Sequence, residues 1–88
     1  MTKKLYQNFT SSGTLDQTDA IIHSIIFINT SGGDSQFGAF IGSDGSGTRL
    51  IACTVSNQNS EVVQLNGIEV EELYIAIVPN SSAIVIYE

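Results

Sequence analysis

The sequence predicts an all-β domain, a single antiparallel β-sandwich or small barrel of roughly seven to eight short strands. Ile and Val recur in short runs that Gly, Ser, Thr and Asn separate, which is typical of strands and the turns between them. The runs repeat about every ten residues, the spacing of small sandwiches. The nearest approach to a helical period, at residues 70–77, is rich in Val, Tyr and Ile and therefore favours a strand.

The length of 88 residues suits one domain. Within it we expect residues 1–19 to form an N-terminal strand or arm and residues 20–88 to form the β-sandwich. A chain of this size buries about 60–65% of its unfolded surface, so a monomer would be only modestly stable, and oligomerisation is a common remedy. Cys53 is the only cysteine, and its apolar neighbours indicate a small buried hydrophobic residue.

The charge balance argues against several classes of partner. The net charge is −6, from three basic and nine acidic residues. Nucleic-acid binding requires a surface rich in Lys and Arg, so we expect no nucleic-acid partner, and anionic membranes are disfavoured for the same reason. The apolar run at residues 20–28 is far shorter than the ~20 residues of a membrane span. Because no apolar signal segment follows Lys3 and Lys4, we expect a soluble chain made in a cytoplasm.

The first half of the chain is predicted to hold three strands. Residues 3–9 form the first, and residues 14–19 form a second short strand or an extended link. Residues 20–29, AIIHSIIFIN, form the central strand and are the most apolar run of the sequence. Loops of small polar residues at 10–13 and 30–34 separate these strands.

The second half is predicted to hold two hairpins. Strands at residues 36–41 and 49–55 are joined by the glycine-rich connection GSDGSG. Strands at residues 73–78 and 83–87 form a C-terminal hairpin. Pro79 lies between these last strands and lacks the N–H group that a central ladder needs.

Two short pieces are predicted between these hairpins. Residues 61–65 form a short strand. Asn66-Gly67 is a residue pair that two-residue hairpin turns favour, so we expect a tight turn there. Residues 68–70 then form a brief extended piece.

Both faces of the central strand are apolar. Each parity of a regular strand carries three large apolar side chains, Ile21, Ile25 and Phe27 on one and Ile22, Ile26 and Ile28 on the other. Large exposed apolar patches are rare on monomers, so the second face is expected to meet another subunit; a tightly packed small barrel is the alternative. The candidate interface residues are Ile22, His23, Ile26, Ile28, Tyr74 and Tyr87.

No residue pattern predicts catalysis. The only histidine, His23, would need a nucleophile and an orienting acid, but Ser24 points to the opposite strand face and Asp19 is four residues away. A histidine at a subunit contact or on a partly exposed sheet face is the better interpretation, and between subunits it would make assembly sensitive to pH. The acidic cluster at residues 69–72 lacks the aromatic platforms of a glycosidase and indicates a solvated edge that discourages strand pairing.

The loop at residues 42–47 has only a faint likeness to a calcium loop. It lacks the alternating acids and the distal Glu of such loops, so we expect Asp44 to cap its own hairpin turn. A phosphate site is disfavoured as well, because no Lys follows the glycines. We therefore expect no metal, no cofactor and no enzymatic activity.

Three stretches resemble the small all-β virion proteins of tailed bacteriophages. They are SIIFINTSGG, FGAFIGSDGSGTRLI and LNGIEVEELYIAIVPNSSAIVIYE, and the matching positions are residues 25–33, 40–51 and 67–88. In that family a central strand ends in Asn-Thr or Asn-Ser before a glycine-rich turn, and a hairpin with Asp-Gly follows. A segment with Gly-Ile and Leu-Tyr then precedes a terminal hairpin that ends in Ile-Tyr. The resemblance covers residues 20–88 and leaves residues 1–19 outside.

The resemblance implies a structural virion protein that decorates and stabilises the capsid as an oligomer, with a homotrimer favoured. Such decoration (cement) proteins lie over the joints between major capsid proteins and hold them against the pressure of the packaged DNA. The implied partners are other copies of the chain and the major capsid protein, at the capsid surface, after synthesis in the host cytoplasm. The alternative is a head or tail fibre module, or a receptor- or glycan-binding module. A receptor- or glycan-binding module is expected to have an exposed aromatic cluster on its loops, whereas the loops here hold Ser, Gly, Asn and Asp.

Overall fold

The protein is a β-sandwich of two four-stranded antiparallel sheets, seen in a computed structural model that describes residues 3–88. The all-β sandwich predicted from the sequence is confirmed. In chain order the strands are β1 (Leu5–Phe9), β2 (Gly13–Thr14), β3 (Ala20–Ile28), β4 (Ser35–Ile41), β5 (Thr48–Val55), β6 (Ser60–Val70), β7 (Leu73–Ala76) and β8 (Ser82–Tyr87). Sheet A has the strand order β1-β8-β3-β6, and sheet B has the order β2-β7-β4-β5.

The strand pairs are nested within one another along the chain. Strand β4 pairs with β5, β3 with β6, β2 with β7 and β1 with β8, so the chain is one long antiparallel ribbon folded back on itself. Two further pairings, β3 with β8 and β4 with β7, roll this ribbon into two sheets. This strand order is that of an eight-stranded jelly roll.

The core lies between the two sheets and is filled by alternate residues of their strands. Phe27 of β3 and Phe37 of β4 join the layers, with ring centroids 5.5 Å apart and planes tilted by 43°. Tilted aromatic pairs of this kind are favoured over face-to-face stacks. The largest fully buried side chains are Phe27, Ile22, Ile25, Leu73, Ile75, Val85 and Asn29.

The segment before Ala20 belongs to both sheets. Strand β1 pairs with β8 in sheet A and β2 pairs with β7 in sheet B, so the chain crosses the sandwich within its first strands. Phe9 and Leu15 are buried in the common core. Of the short strand or extended link predicted at residues 14–19, only Thr14 is in strand conformation, and the remainder bends at Asp16, Thr18 and Asp19. The start of the predicted arm, residues 1–2, lies outside the described residues.

The tight turn predicted at Asn66-Gly67 is wrong, because both residues lie inside the single long strand β6. They do have the positive φ angles that suit such a turn, 55° and 83°. However, β6 stays paired with β3 on both sides of them, through Ile22 with Ile68 and Ser24 with Gln64. Residues 65–67 of β6 therefore face the single residue 23 of β3, and the positive φ angles serve a bulge instead of a chain reversal.

The same bulge exchanges the predicted faces of Ile21 and Ile22 at the start of the central strand. In a regular strand Ile22 and Ile25 would lie on opposite faces, but the register shift between Ile22 and Ser24 turns both into the core. Ile21 therefore lies on the outer side, and its predicted grouping with Ile25 and Phe27 is wrong. Ile22 is 0% exposed and packs within the subunit, so it is not available to a partner.

The predicted C-terminal hairpin is also wrong, because β7 lies in sheet B and β8 lies in sheet A. The hydroxyl of Ser12 accepts a hydrogen bond from Ile77 N at 2.9 Å and donates one to Ile77 O at 3.0 Å, which takes the place of a strand partner at the end of β7. Thr30 Oγ1 then donates to Asn80 O at 2.5 Å. These bonds hold the chain between Ile77 and Asn80 as it crosses from one sheet to the other.

Candidate functional site

The outer side of sheet A carries an apolar surface that crosses all four of its strands. Ile26 of β3 pairs with Ile84 of β8 on one side and with Val62 of β6 on the other. Directly paired residues of antiparallel strands share a face, so these three side chains form one row. Val62 is 52% exposed, and Tyr6, which pairs with Ile86, is 69% exposed. We define the apolar outer face by the side chains of Tyr6, Ile26, Ile28, Val62, Ile84 and Ile86.

Polar residues border this surface in the same register, and one, Ser24, lies within it beside Ile86. Asn8 pairs with Ile84 from the edge strand β1, and Ser60 and Ser82 both pair with Ile28. An antiparallel sheet that faces only water usually has polar residues along its whole outer side. An apolar centre with a polar rim is instead the composition of a protein–protein interface.

His23 lies at one end of the apolar outer face. Its Nε2 atom is 2.5 Å from Oε2 of Glu88, and both side chains are partly exposed. The bulge between β3 and β6 holds His23 here, and Glu88 reaches it because backbone bonds join Glu88 to Ile21. Glu88 is the hydrogen-bond partner of His23 among the described residues, and no hydroxyl or thiol nucleophile is bonded to the imidazole there.

The predicted interface residues do not form a single group. His23, Ile26 and Ile28 do lie together on the outer side of sheet A. Tyr87 is 8% exposed and packs in the core, so it is not free to contact a partner. Tyr74 lies on the outer side of sheet B, the opposite surface of the sandwich. The sequence-based list missed Tyr6, Val62, Ile84 and Ile86, although the alternation of buried and half-buried residues in β8 could have identified the two isoleucines.

The outer side of sheet B carries a shallow depression with mixed chemistry. Phe40 of β4 pairs with Tyr74 of β7 and with Arg49 of β5, and the Arg49 guanidinium lies 5.9 Å from the Phe40 ring centroid. The neighbouring row on the same outer side, two residues along β4, consists of small residues, because Gly38 pairs with Ala52 on one side and with Ala76 on the other. We call this depression the aromatic–arginine trough; it has a volume of about 170 Å³ and is lined by Gln36, Phe37, Gly38, Phe40, Arg49, Ala52 and Ala76.

Acidic side chains gather where β3 begins and β6 ends. Asp19, Glu69 and Glu71 line an open hollow of about 370 Å³ together with Ile21 and Val70. Glu69 lies on the edge strand β6, where a charge disfavours pairing with a foreign strand. Among residues 3–88, however, no three His, Cys, Asp or Glu side chains lie in an arrangement that could hold a metal ion.

The β4–β5 hairpin and its turn match the sequence-based prediction. The strands pair from Ser35 with Val55 to Ile41 with Thr48, and residues 42–47 connect them. Asp44 Oδ1 accepts hydrogen bonds from the Ser46 backbone N–H at 2.9 Å and from the Ser46 hydroxyl at 2.5 Å. These bonds hold the pKa of the Asp44 carboxyl below its ordinary value.

Cys53 lies on the inner side of β5, where it pairs with Phe37 of β4. The thiol is half-buried and free. Burial raises its pKa, and the nearby carboxylate of Glu61 raises it further. A raised pKa leaves little thiolate at neutral pH, which is typical of a packing residue and not of a nucleophile.

No helix long and apolar enough to cross a membrane occurs in the part of the chain that the structure describes. No protein-family model, no curated protein and no solved structure matches the chain.

Proposed function

We propose that this protein is a structural component of a tailed-phage virion, which decorates and stabilises the capsid as a homotrimer. The observation that carries the proposal is the apolar outer face of sheet A with its polar rim. The resemblance of residues 20–88 to small all-β virion proteins supports the same assignment. The jelly-roll topology adds support by analogy only, because viral capsid domains use it and so do unrelated proteins.

The apolar outer face provides the free energy for self-association. Burial of apolar surface contributes about 25 cal/mol per Å², and this face presents branched or aromatic side chains on all four strands of the sheet. Three copies that turn it toward a common axis remove it from water. The carboxylates of Asp19, Glu69 and Glu71 lie beyond its end and remain solvated.

Trimerisation explains how a small domain stabilises a shell. Each copy offers the capsid a weak contact, and three linked contacts act together through their effective concentration. Because the trimer binds the assembled lattice and not its separated subunits, binding shifts the equilibrium toward the intact shell. On this proposal the apolar outer face assembles the trimer, and a different part of the surface contacts the major capsid protein.

The test uses capsids assembled without this protein, to which the purified protein is added back. We expect the wild-type protein to co-sediment with these capsids and to raise the temperature at which they release DNA. Val62→Glu places a charge in the apolar outer face and is expected to abolish both effects. The matched control is Thr54→Glu, which adds the same charge at an exposed strand position of sheet B and should still form the trimer that Val62→Glu cannot form. Failure of the wild-type protein to bind, or equal binding by Val62→Glu, would overturn the proposal.

A further inference from the structure

We propose that the aromatic–arginine trough on sheet B binds an acidic sugar, a pyranose ring that bears a carboxylate. This inference is independent of the proposed virion role, because the trough lies on the opposite side of the sandwich from the apolar outer face. It concerns a single subunit and would hold for a monomer.

Arg49 supplies the group that recognises a carboxylate. It is the only arginine in a chain of net charge −6, yet no carboxylate forms a salt bridge with it among the described residues. The Phe40 ring, 5.9 Å away, holds the guanidinium by a cation–π contact without occupying its N–H groups. A guanidinium donates two parallel hydrogen bonds to one carboxylate, a geometry that a lysine does not match.

Phe40 and the floor of the trough supply a surface for the ring itself. Aromatic side chains present an apolar face, and Tyr74 holds the Phe40 ring at a centroid distance of 6.4 Å and a tilt of 54°. Beside this ring the floor is the row formed by Ala52, Gly38 and Ala76, which keeps the surface low. A Cβ atom on Gly38 would lie 3.2 Å from Ile51 O and 3.5 Å from Cε1 of Phe40, so the edge of the Phe40 ring packs over Gly38, which is buried beneath it, and the floor is open beside the ring, at Ala52.

Gln36 supplies hydrogen bonds for hydroxyl groups. It is exposed at the far side of the trough from Arg49, and its amide both donates and accepts, as sugar hydroxyls require. A cation, an aromatic face and an amide therefore surround a shallow space of about 170 Å³. A site so small and open suits one ring and weak binding, which an oligomer would strengthen by presenting several copies.

The experiment is an NMR titration of the ¹⁵N-labelled full chain with sodium glucuronate. The two control ligands are sodium acetate, which has the carboxylate without the sugar ring, and glucose, which has the ring without the carboxylate. We expect saturable shifts at the amides of Gly38, Phe40 and Ala52 with glucuronate, and binding weaker by roughly tenfold or more with either acetate or glucose. Equal affinity for glucose and glucuronate, or no saturable shift with glucuronate, would overturn the proposal.

Variants assign the shifts to the trough. Arg49→Gln should weaken glucuronate binding by roughly tenfold or more, whereas Lys4→Gln removes the same charge elsewhere and should leave it unchanged. Ala52→Leu keeps Arg49 but fills the floor, and should also abolish binding. Unchanged binding in both Arg49→Gln and Ala52→Leu would contradict the site. The proposal is likewise overturned if the trough amides shift with protein concentration alone and not with sugar, which would show that a second copy occupies the trough.

Discussion

Ile26 on β3 lies directly opposite Ile84 on β8, on the side of sheet A that faces away from the core. Val62 extends the row onto β6, and Asn8 ends it on β1. The core is complete without these isoleucines, because Ile25 and Val85 already pair on the inner side of the same strands. Their apolar character is therefore not required by the pairs that fill the core, and on the proposed function a second copy of the chain covers them.

The first prediction concerns Ile84 and separates association from folding. Thr keeps the branched Cβ that strands favour but adds a hydroxyl, so Ile84→Thr should weaken self-association while changing subunit stability by about 1 kcal/mol or less. The matched control is Val85→Thr at the adjacent, fully buried position, which should destabilise the fold by burying an unpaired hydroxyl. Urea unfolding and sedimentation of both variants make the comparison. Equal losses of stability in the two variants would show that Ile84 belongs to the subunit core.

The second prediction concerns the buried amide of Asn29, which ties β3 to the loops around it. Its Nδ2 donates to Val55 O at 2.7 Å and to Gly33 O at 2.9 Å, and its Oδ1 accepts from the Ser31 backbone N–H at 3.0 Å. Asn29→Ala leaves these groups unpaired, so the free energy of unfolding should fall by about 2–4 kcal/mol. Asn57→Ala removes a more exposed amide and should cost less than about 1 kcal/mol. Denaturant unfolding of both variants measures the difference, and equal losses would contradict a special role for Asn29.

The third prediction tests the bulge that places His23. Gly67 has a φ of 83°, so Gly67→Ala should lower the free energy of unfolding by about 1 kcal/mol. The backbone of Gly33 does not require glycine, and a Cβ there would meet nothing within 4 Å. Gly33→Ala should therefore be neutral or slightly stabilising. Thermal unfolding of both variants and the wild type measures the difference. A neutral Gly67→Ala would mean that β6 does not carry the bulge at this point.

The fourth prediction follows from the raised pKa of the Cys53 thiol. Because the thiolate of folded Cys53 forms at a higher pH than that of an unburied cysteine, its reaction with Ellman's reagent at pH 8 should be slower than in the chain unfolded in guanidinium. The folded-state rate should continue to rise at pH values where the unfolded-state rate has levelled off. Equal rates in the folded and unfolded states would contradict the burial of Cys53.

Much of the fold follows from the sequence because it depends on local patterns. The alternation in β4 and β5 and the glycines between them are sufficient to place that hairpin, and the apolar run of β3 marks the central strand. What the sequence did not predict depends on pairing between distant segments. Whether Asn66-Gly67 reverses the chain or forms a bulge is decided by the pairing of Ile68 with Ile22 across β3.

The candidate sites likewise divide into residues placed by local sequence and residues placed by pairing between distant strands. His23, Ile26 and Ile28 could be placed at a surface from the sequence, because they are neighbours in one strand. Tyr87 was misplaced because the choice between the two faces of β8 depends on which sheet receives the strand. The aromatic–arginine trough had no sequence signal at all, since Gly38 and Ala52 become neighbours only through the register of β4 and β5.

The molar mass of the purified protein in solution, measured by light scattering across a range of concentrations, tests the central claim most directly. We expect the wild-type protein to have the mass of a trimer and the double variant Ile26→Thr with Ile84→Thr to have the mass of the 9.4 kDa monomer while remaining folded. A wild-type protein that stays monomeric at the highest concentration would contradict the account. An oligomer that persists unchanged in the double variant would also contradict it, because assembly would then not use the apolar outer face.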